Sequence, residues 1–157
     1  MLNSVVMCFN KITGAIHRVL PRPILMQDYS LFPSTCSSID DSLVDALQHK
    51  RLLLVWLHSE LHRDSVECFK QLGARPEILQ WMTTSFTLYG VSTFSEEAGN
   101  LAHGSPTTCT YPCVVALLPA GGLSGGVTYV AKLEGAFNPD DLLRFLQQCI
   151  AKYKPQQ

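Results

Sequence analysis

Six consecutive apolar residues, Leu52 to Leu57, lie between Arg51 and His58. A strand with one wet face alternates apolar and polar side chains, so an unbroken run of this length predicts a strand covered on both faces. Covering both faces takes helices on each side of a sheet, which places the chain in the α/β class. The run ends at "HSELHRDS", where a buried strand turns into a helix start. Many α/β proteins keep their chemistry at such a turn.

The rest of the chain alternates in the same sense. "DDSLVDALQHK" reads as a short helix with Asp40 or Asp41 as its cap, and "DSVECFKQLG" as an amphipathic helix ended by Gly73. Pro76 opens another helix, "PEILQWMTT". "FTLYGVS" is the next strand, and "SEEAGNLAHG" a helix capped by Ser95. "CVVALLP" and "VTYVAKLEG" form a hairpin across "AGGLSGG". "NPDDLLRFLQQCIAKYK" closes the chain, with Asn138 as N-cap, Pro139 in the first turn and Lys152 and Lys154 at the C-terminal end.

Two regions follow from the pattern: residues 1–29, an amphipathic helix with a proline-containing linker, and residues 30–157, the α/β domain. Leu2, Val5, Val6, Phe9, Ile12, Ile16, Val19 and Leu20 recur at helical spacing, and no acidic residue precedes Asp28. That stripe suits a helix docked on its own domain or on a partner, a membrane-surface helix through residues 1–20, or a transit peptide.

Composition removes several classes. Twelve basic and thirteen acidic residues leave a formal charge of −1, with a pI near 6.5. No basic stripe for nucleic acid is present. No run reaches the ~20 apolar residues of a membrane span. Six cysteines, at positions 8, 36, 68, 109, 113 and 149, include no C-x-x-C pair. They read as reduced thiols of a cytoplasmic protein.

The candidate chemistry is correspondingly thin. His58-x-x-x-His62 resembles a metal-ligand pair, yet Ser59 stands where a metalloprotease has its glutamate, and no metal is expected. His58-Ser59-Glu60 with Pro112-Cys113 meets half of the zinc deaminase signature, but Val114-Val115-Ala116 supplies no further cysteine. Ser65 with His62 three residues before it matches a nucleophile and base. Asp64 or Ser65 serves more simply as a helix cap. The glycine pairs 121–122 and 125–126 join strand to strand, without the helix N-terminus a phosphate needs.

This order of elements, with Tyr111-Pro112 directly before a core strand, resembles the thioredoxin-like fold. The resemblance makes Pro112 the expected cis-proline. It also puts His62, Arg63, Asp64 and Ser65 in the four positions of the redox motif, where no sulfur stands. "LLLVWLH…HRDS", "TYPCVVALL" and "KLEGAFNPDDLL" together resemble the UAS domain of UBX-domain proteins, the Fas-associated-factor group. The resemblance implies a thioredoxin-like adaptor without redox activity or cofactor, working in ubiquitin-dependent degradation with an AAA ATPase. It further implies binding of long-chain unsaturated fatty acids and ligand-driven self-association into a homo-oligomer. Its setting would be the cytosolic face of the endoplasmic reticulum or lipid droplets.

No UBX module follows before Gln157, so the chain reads as a fragment, a short isoform or a divergent member. For a fatty acid carboxylate or a partner surface, the candidates are Lys50, Arg51, Arg63, Lys70 and Arg75. The competing class is a thiol oxidoreductase of the thioredoxin superfamily using an unpaired cysteine, with Cys68, Cys109 and Cys113 nearest the relevant region.

Overall fold

A computed structural model describes residues 34–59, 61–93, 110–120 and 126–153. The helices expected over residues 2–20 and 95–104, the linker between residues 20 and 33, the hairpin loop 121–125, Glu60, Cys109 and Lys154 lie outside the described residues. The elements run α1 (Ile39–Gln48), β1 (Leu53–His58), α2 (Arg63–Gly73), α3 (Pro76–Ser85), β2 (Thr87–Ser92), β3 (Cys113–Pro119), β4 (Val127–Glu134) and α4 (Pro139–Lys152).

All six residues of β1 are buried, and the strand lies inside a four-stranded sheet of order β2-β1-β3-β4. β1 runs parallel to β2, with Leu53 beside Thr87 and His58 beside Ser92. It runs antiparallel to β3, with Leu53 beside Leu117 and Leu57 beside Cys113. β3 and β4 are antiparallel, and a bulge shifts the register so that Ala116 faces Ala131 while Leu117 faces Tyr129. The C-terminal end of β1 therefore sits next to the start of β3.

The period-two geometry of β1 divides the core into two layers. Leu52, Leu54 and Trp56 join Phe69 and Leu72 of α2, Ile78 and Met82 of α3, and Leu142, Phe145 and Leu146 of α4. Leu53, Val55 and Leu57 join Ala46 of α1 with Tyr89, Val91 and Cys113. Trp56 is the largest fully buried side chain, with edge contacts to Phe69 and Phe137 at 5.5 and 5.6 Å between ring centroids. Truncating such a residue to alanine costs about 3–5 kcal/mol.

The helix ends show local chemistry in detail. Ser38, two residues before Asp40 and three before Asp41, caps α1 in place of either: its oxygen accepts from the Asp41 N–H at 3.1 Å, and its hydroxyl donates to the Asp41 carboxylate at 2.8 Å. The aspartates sit in the first turn instead, where their charge favours the helix dipole. At the other end, the Arg51 N–H donates to the Ala46 carbonyl at 2.9 Å and the Lys50 N–H to Leu47 at 3.2 Å. This closes a Schellman motif around Lys50, whose φ of 52° is the left-handed value usually given to glycine. α4 begins with a full capping box: Asn138 accepts from the Asp141 N–H, and Asp141 accepts from the Asn138 N–H.

Candidate functional site

Three pieces of backbone meet at one end of the sheet: the end of β1, the start of α2 and the residues before β3. The Tyr111–Pro112 peptide is cis, and Pro112 is buried. Gly135, at φ 80°, directs its N–H to the carbonyls of Thr110 and Pro112 at 3.2 and 3.0 Å. A side chain at that φ is strained, so glycine is what lets β4 exit against this segment.

His58 is buried at the end of β1, its ring edge-on to Phe69 with centroids 6.2 Å apart. His62 is the N-cap of α2, half-exposed, in extended conformation. The two histidines thus belong to a strand and a helix start and do not share a helix face. Among the described residues, no group of three or more His, Cys, Asp or Glu is arranged to hold a metal ion.

Arg63 and Asp64 open the first turn of α2 on the surface, and the Asp64 carboxylate stands 4.0 Å from the His62 ring. Ser65 is fully buried, and its oxygen accepts from the Ser59 N–H at 3.3 Å. That bond closes the β1–α2 turn. The expected capping role of Asp64 or Ser65 is not what forms: no side chain caps this helix start at His62. The reason is geometric, since Ser65 lies inside the helix and points back at the preceding turn.

Cys68 is buried one turn further along α2, its thiol donating to the Phe137 carbonyl at 2.9 Å. Burial pushes its pKa up, the Phe137 backbone pulls the other way, and the Asp64 and Glu67 carboxylates add to the rise. Cys149 in α4 is also raised, by burial, with Lys152 opposing. A redox thiol needs the reverse, a depressed pKa at a helix N-terminus.

Between α2 and the start of α4 lies a cleft of about 230 Å³ lined by Asp64, Glu67, Cys68, Gln71, Asn138 and Asp141, among others. Sequence reasoning missed it, because its acidic residues come from two helices distant in the chain. The Asp64 and Asp141 positions inside first helical turns were the available signal.

The five basic candidates do not converge. Lys50 and Arg51 stand together between α1 and β1, at the opposite end of β1 from Arg63. β1 alone is ~20 Å long at the usual strand rise. Arg75 follows α2 and is held by Glu77 and by Asp140, the latter at 3.4 Å. Lys70 is exposed on α2. Lys50, Arg51, Arg63 and Lys70 have no ion-pair partner among the described residues.

Comparison with solved structures gives the fold. A thioredoxin from Thermus thermophilus superposes with a TM-score of 0.62 at 24% identity, covering 73% of this chain and 85% of its own. A poplar thioredoxin h mutant superposes at 0.52 with 16% identity, covering 74% and 78%. The domain is thioredoxin-like.

Sequence comparison then sets the branch. FAS-associated factor 2 of Bos taurus and of Homo sapiens are each 30% identical over 105 residues, 67% of this chain. The domain is of the UAS type found in the Fas-associated-factor group of UBX-domain proteins. The matched stretch spans 23% of the length of those relatives. No family model matches the chain.

Proposed function

We propose that this domain is a non-catalytic binding module, an adaptor for protein partners of ubiquitin-dependent degradation and its AAA ATPase. The observation that carries the reading is the start of α2. In the thioredoxin frame this is the place for a reactive thiol, and it holds an imidazole, a guanidinium, a carboxylate and a buried hydroxyl tied to the backbone. The nearby Cys68 is buried with a raised pKa, so at neutral pH it is a neutral thiol donating to a carbonyl. An insulin-reduction assay tests this. Turnover that depends on Cys68 or Cys113 would replace the adaptor reading with the thiol oxidoreductase alternative.

The finer part of the proposal is a ligand, a long-chain unsaturated fatty acid that drives self-association. A carboxylate avoids the acidic cleft beside α2 and seeks unpaired cations next to apolar surface. The end of α1 offers both: Lys50 and Arg51 follow the helix, on which Val44 and Leu47 are 52% and 40% exposed. Oleate titration checks it, with Lys50→Glu/Arg51→Glu expected to lose binding and Arg63→Glu/Lys70→Glu to keep it. Equal loss in both variants removes α1 as the site.

Among the described residues no helix is long and apolar enough to cross a membrane. Contact with the cytosolic face of the endoplasmic reticulum or a lipid droplet through residues 1–20 belongs to this proposal. Flotation with liposomes measures it.

A further inference from the structure

The cleft between α2 and α4 carries more negative charge than its helices need. Asp64 and Asp141 lie in first helical turns, where a carboxylate favours the helix dipole. Glu67 has no such reason. It stands exposed three residues past Asp64 on the same face of α2, where two like charges are neighbours and repel.

The cations of this neighbourhood leave that repulsion uncompensated. Arg144 stands 3.4 Å from Asp141, and Arg75 is engaged by Glu77 and Asp140. Asp64 has the His62 ring at 4.0 Å, and Glu67 accepts from the neutral Gln71 amide at 3.2 Å. Among the described residues neither carboxylate has a Lys or Arg within ion-pair distance.

The two buried residues that line the cleft, Cys68 and Phe137, are apolar. Burial raises the Cys68 pKa most, and Asp64 and Glu67 raise it further, so the two charges act on one spot. At about 230 Å³ the cleft is smaller than the ~300–1,000 Å³ of pockets that enclose a whole small molecule, and its size suits one side chain. Among the described residues its carboxylates are not grouped to hold a metal ion.

We propose that this cleft is a docking site for an arginine side chain on an exposed segment of a partner protein. Charge complementarity selects a cation. The spread of the carboxylates over two helices selects a guanidinium, whose five donors in one plane reach separate acceptors where an ammonium is a point charge. Its carbon stem covers Cys68 and Phe137. The inference rests on the adaptor reading and names a contact that holds the partner.

The test titrates the blocked peptide acetyl-Gly-Arg-Gly-amide into the isotope-labelled full chain at low salt, followed by NMR. The citrulline analogue, which keeps the shape and loses the charge, and the lysine analogue run beside it. Saturable shifts of the Glu67, Gln71 and Asn138 amides are expected with arginine, weaker binding with lysine, and no shifts with citrulline. Glu67→Gln is expected to weaken arginine binding about tenfold, the loss of one charge-assisted hydrogen bond. Its thermal midpoint should hold or rise, because a like-charge neighbour is gone. Gln71→Lys puts a cation beside Glu67 from within the helix and is expected to exclude the peptide. Asp40→Asn, which changes net charge equally on α1, is expected to leave binding intact.

Shifts that citrulline reproduces overturn the proposal, and so does arginine binding that survives both Glu67→Gln and Gln71→Lys. An arginine peptide that shifts nothing removes the cleft and leaves the adaptor reading standing. Turnover in the insulin assay removes the adaptor reading, and the titration still decides the cleft.

Discussion

α2 and α4 lie on the same face of the sheet, yet they begin in opposite ways. α4 starts with Asn138, Pro139 and Asp141, which together satisfy its first-turn donors by a reciprocal capping box. α2 starts at His62 with no side-chain cap, and its serine is turned back to hold Ser59. A helix needed only for packing is finished with the best local residues. The start of α2 keeps a tight turn at the expense of its own cap. The physical lesson is that turn closure and helix capping compete for one hydroxyl, and at α2 the turn wins.

Restoring the reagents is the strongest way to break this comparison. In His62→Cys/Ser65→Cys, a thiol at the N-cap lies in the positive end of the helix dipole, with a second thiol one turn along. Insulin reduction is expected to rise from background to a clear rate. A variant that folds and stays inert would show that two thiols at the start of α2 are not enough for redox chemistry.

Ser65→Ala comes next. It strands the partly buried Ser59 N–H, and a loss of about 1–2 kcal/mol in urea denaturation is expected. Asn138→Ala removes one half of the α4 box and should cost about 1 kcal/mol. A smaller loss there than at Ser65 sharpens the contrast; the reverse order weakens it.

His62→Asn supplies the cap that α2 lacks and is expected to stabilise by roughly 0.5–1 kcal/mol. The smallest effect is with pH. Burial raises the Cys68 and Cys149 pKa values above 9.0, so their neutral forms favour the folded state fully below that pH. Stability is then lost as pH rises through the raised values, and Cys68→Ala should flatten the alkaline limb of a pH–stability curve.

Much of the fold was legible because its signals are local. The apolar run over Leu52–Leu57, Gly73 at the end of α2, Pro76 at the start of α3 and Asn138-Pro139 at α4 each mark an element within a residue or two. The caps of α1 and α2 were read wrongly for the same reason. Ser38, Asp40 and Asp41 are all competent caps by composition, and only the entry path of the chain selects Ser38. The site was less legible still. The acidic cleft joins Asp64 and Glu67 of α2 to Asp141 of α4, and the five basic candidates, near one another in sequence terms, separate to both ends of β1.

By itself the sequence determined the class of sheet, the positions of most helices, and the missing sulfur at His62 and Ser65. These follow from side-chain periodicity and residue identity, which act over a few positions. Tertiary structure decided which groups meet: Ser65 with Ser59, Cys68 with Phe137, Gly135 with Thr110 and Pro112, and Ser34 and Thr35 with β2. Hydrogen bonds reach only about 3 Å, so their pairing is settled by the way the sheet and helices bring distant segments together.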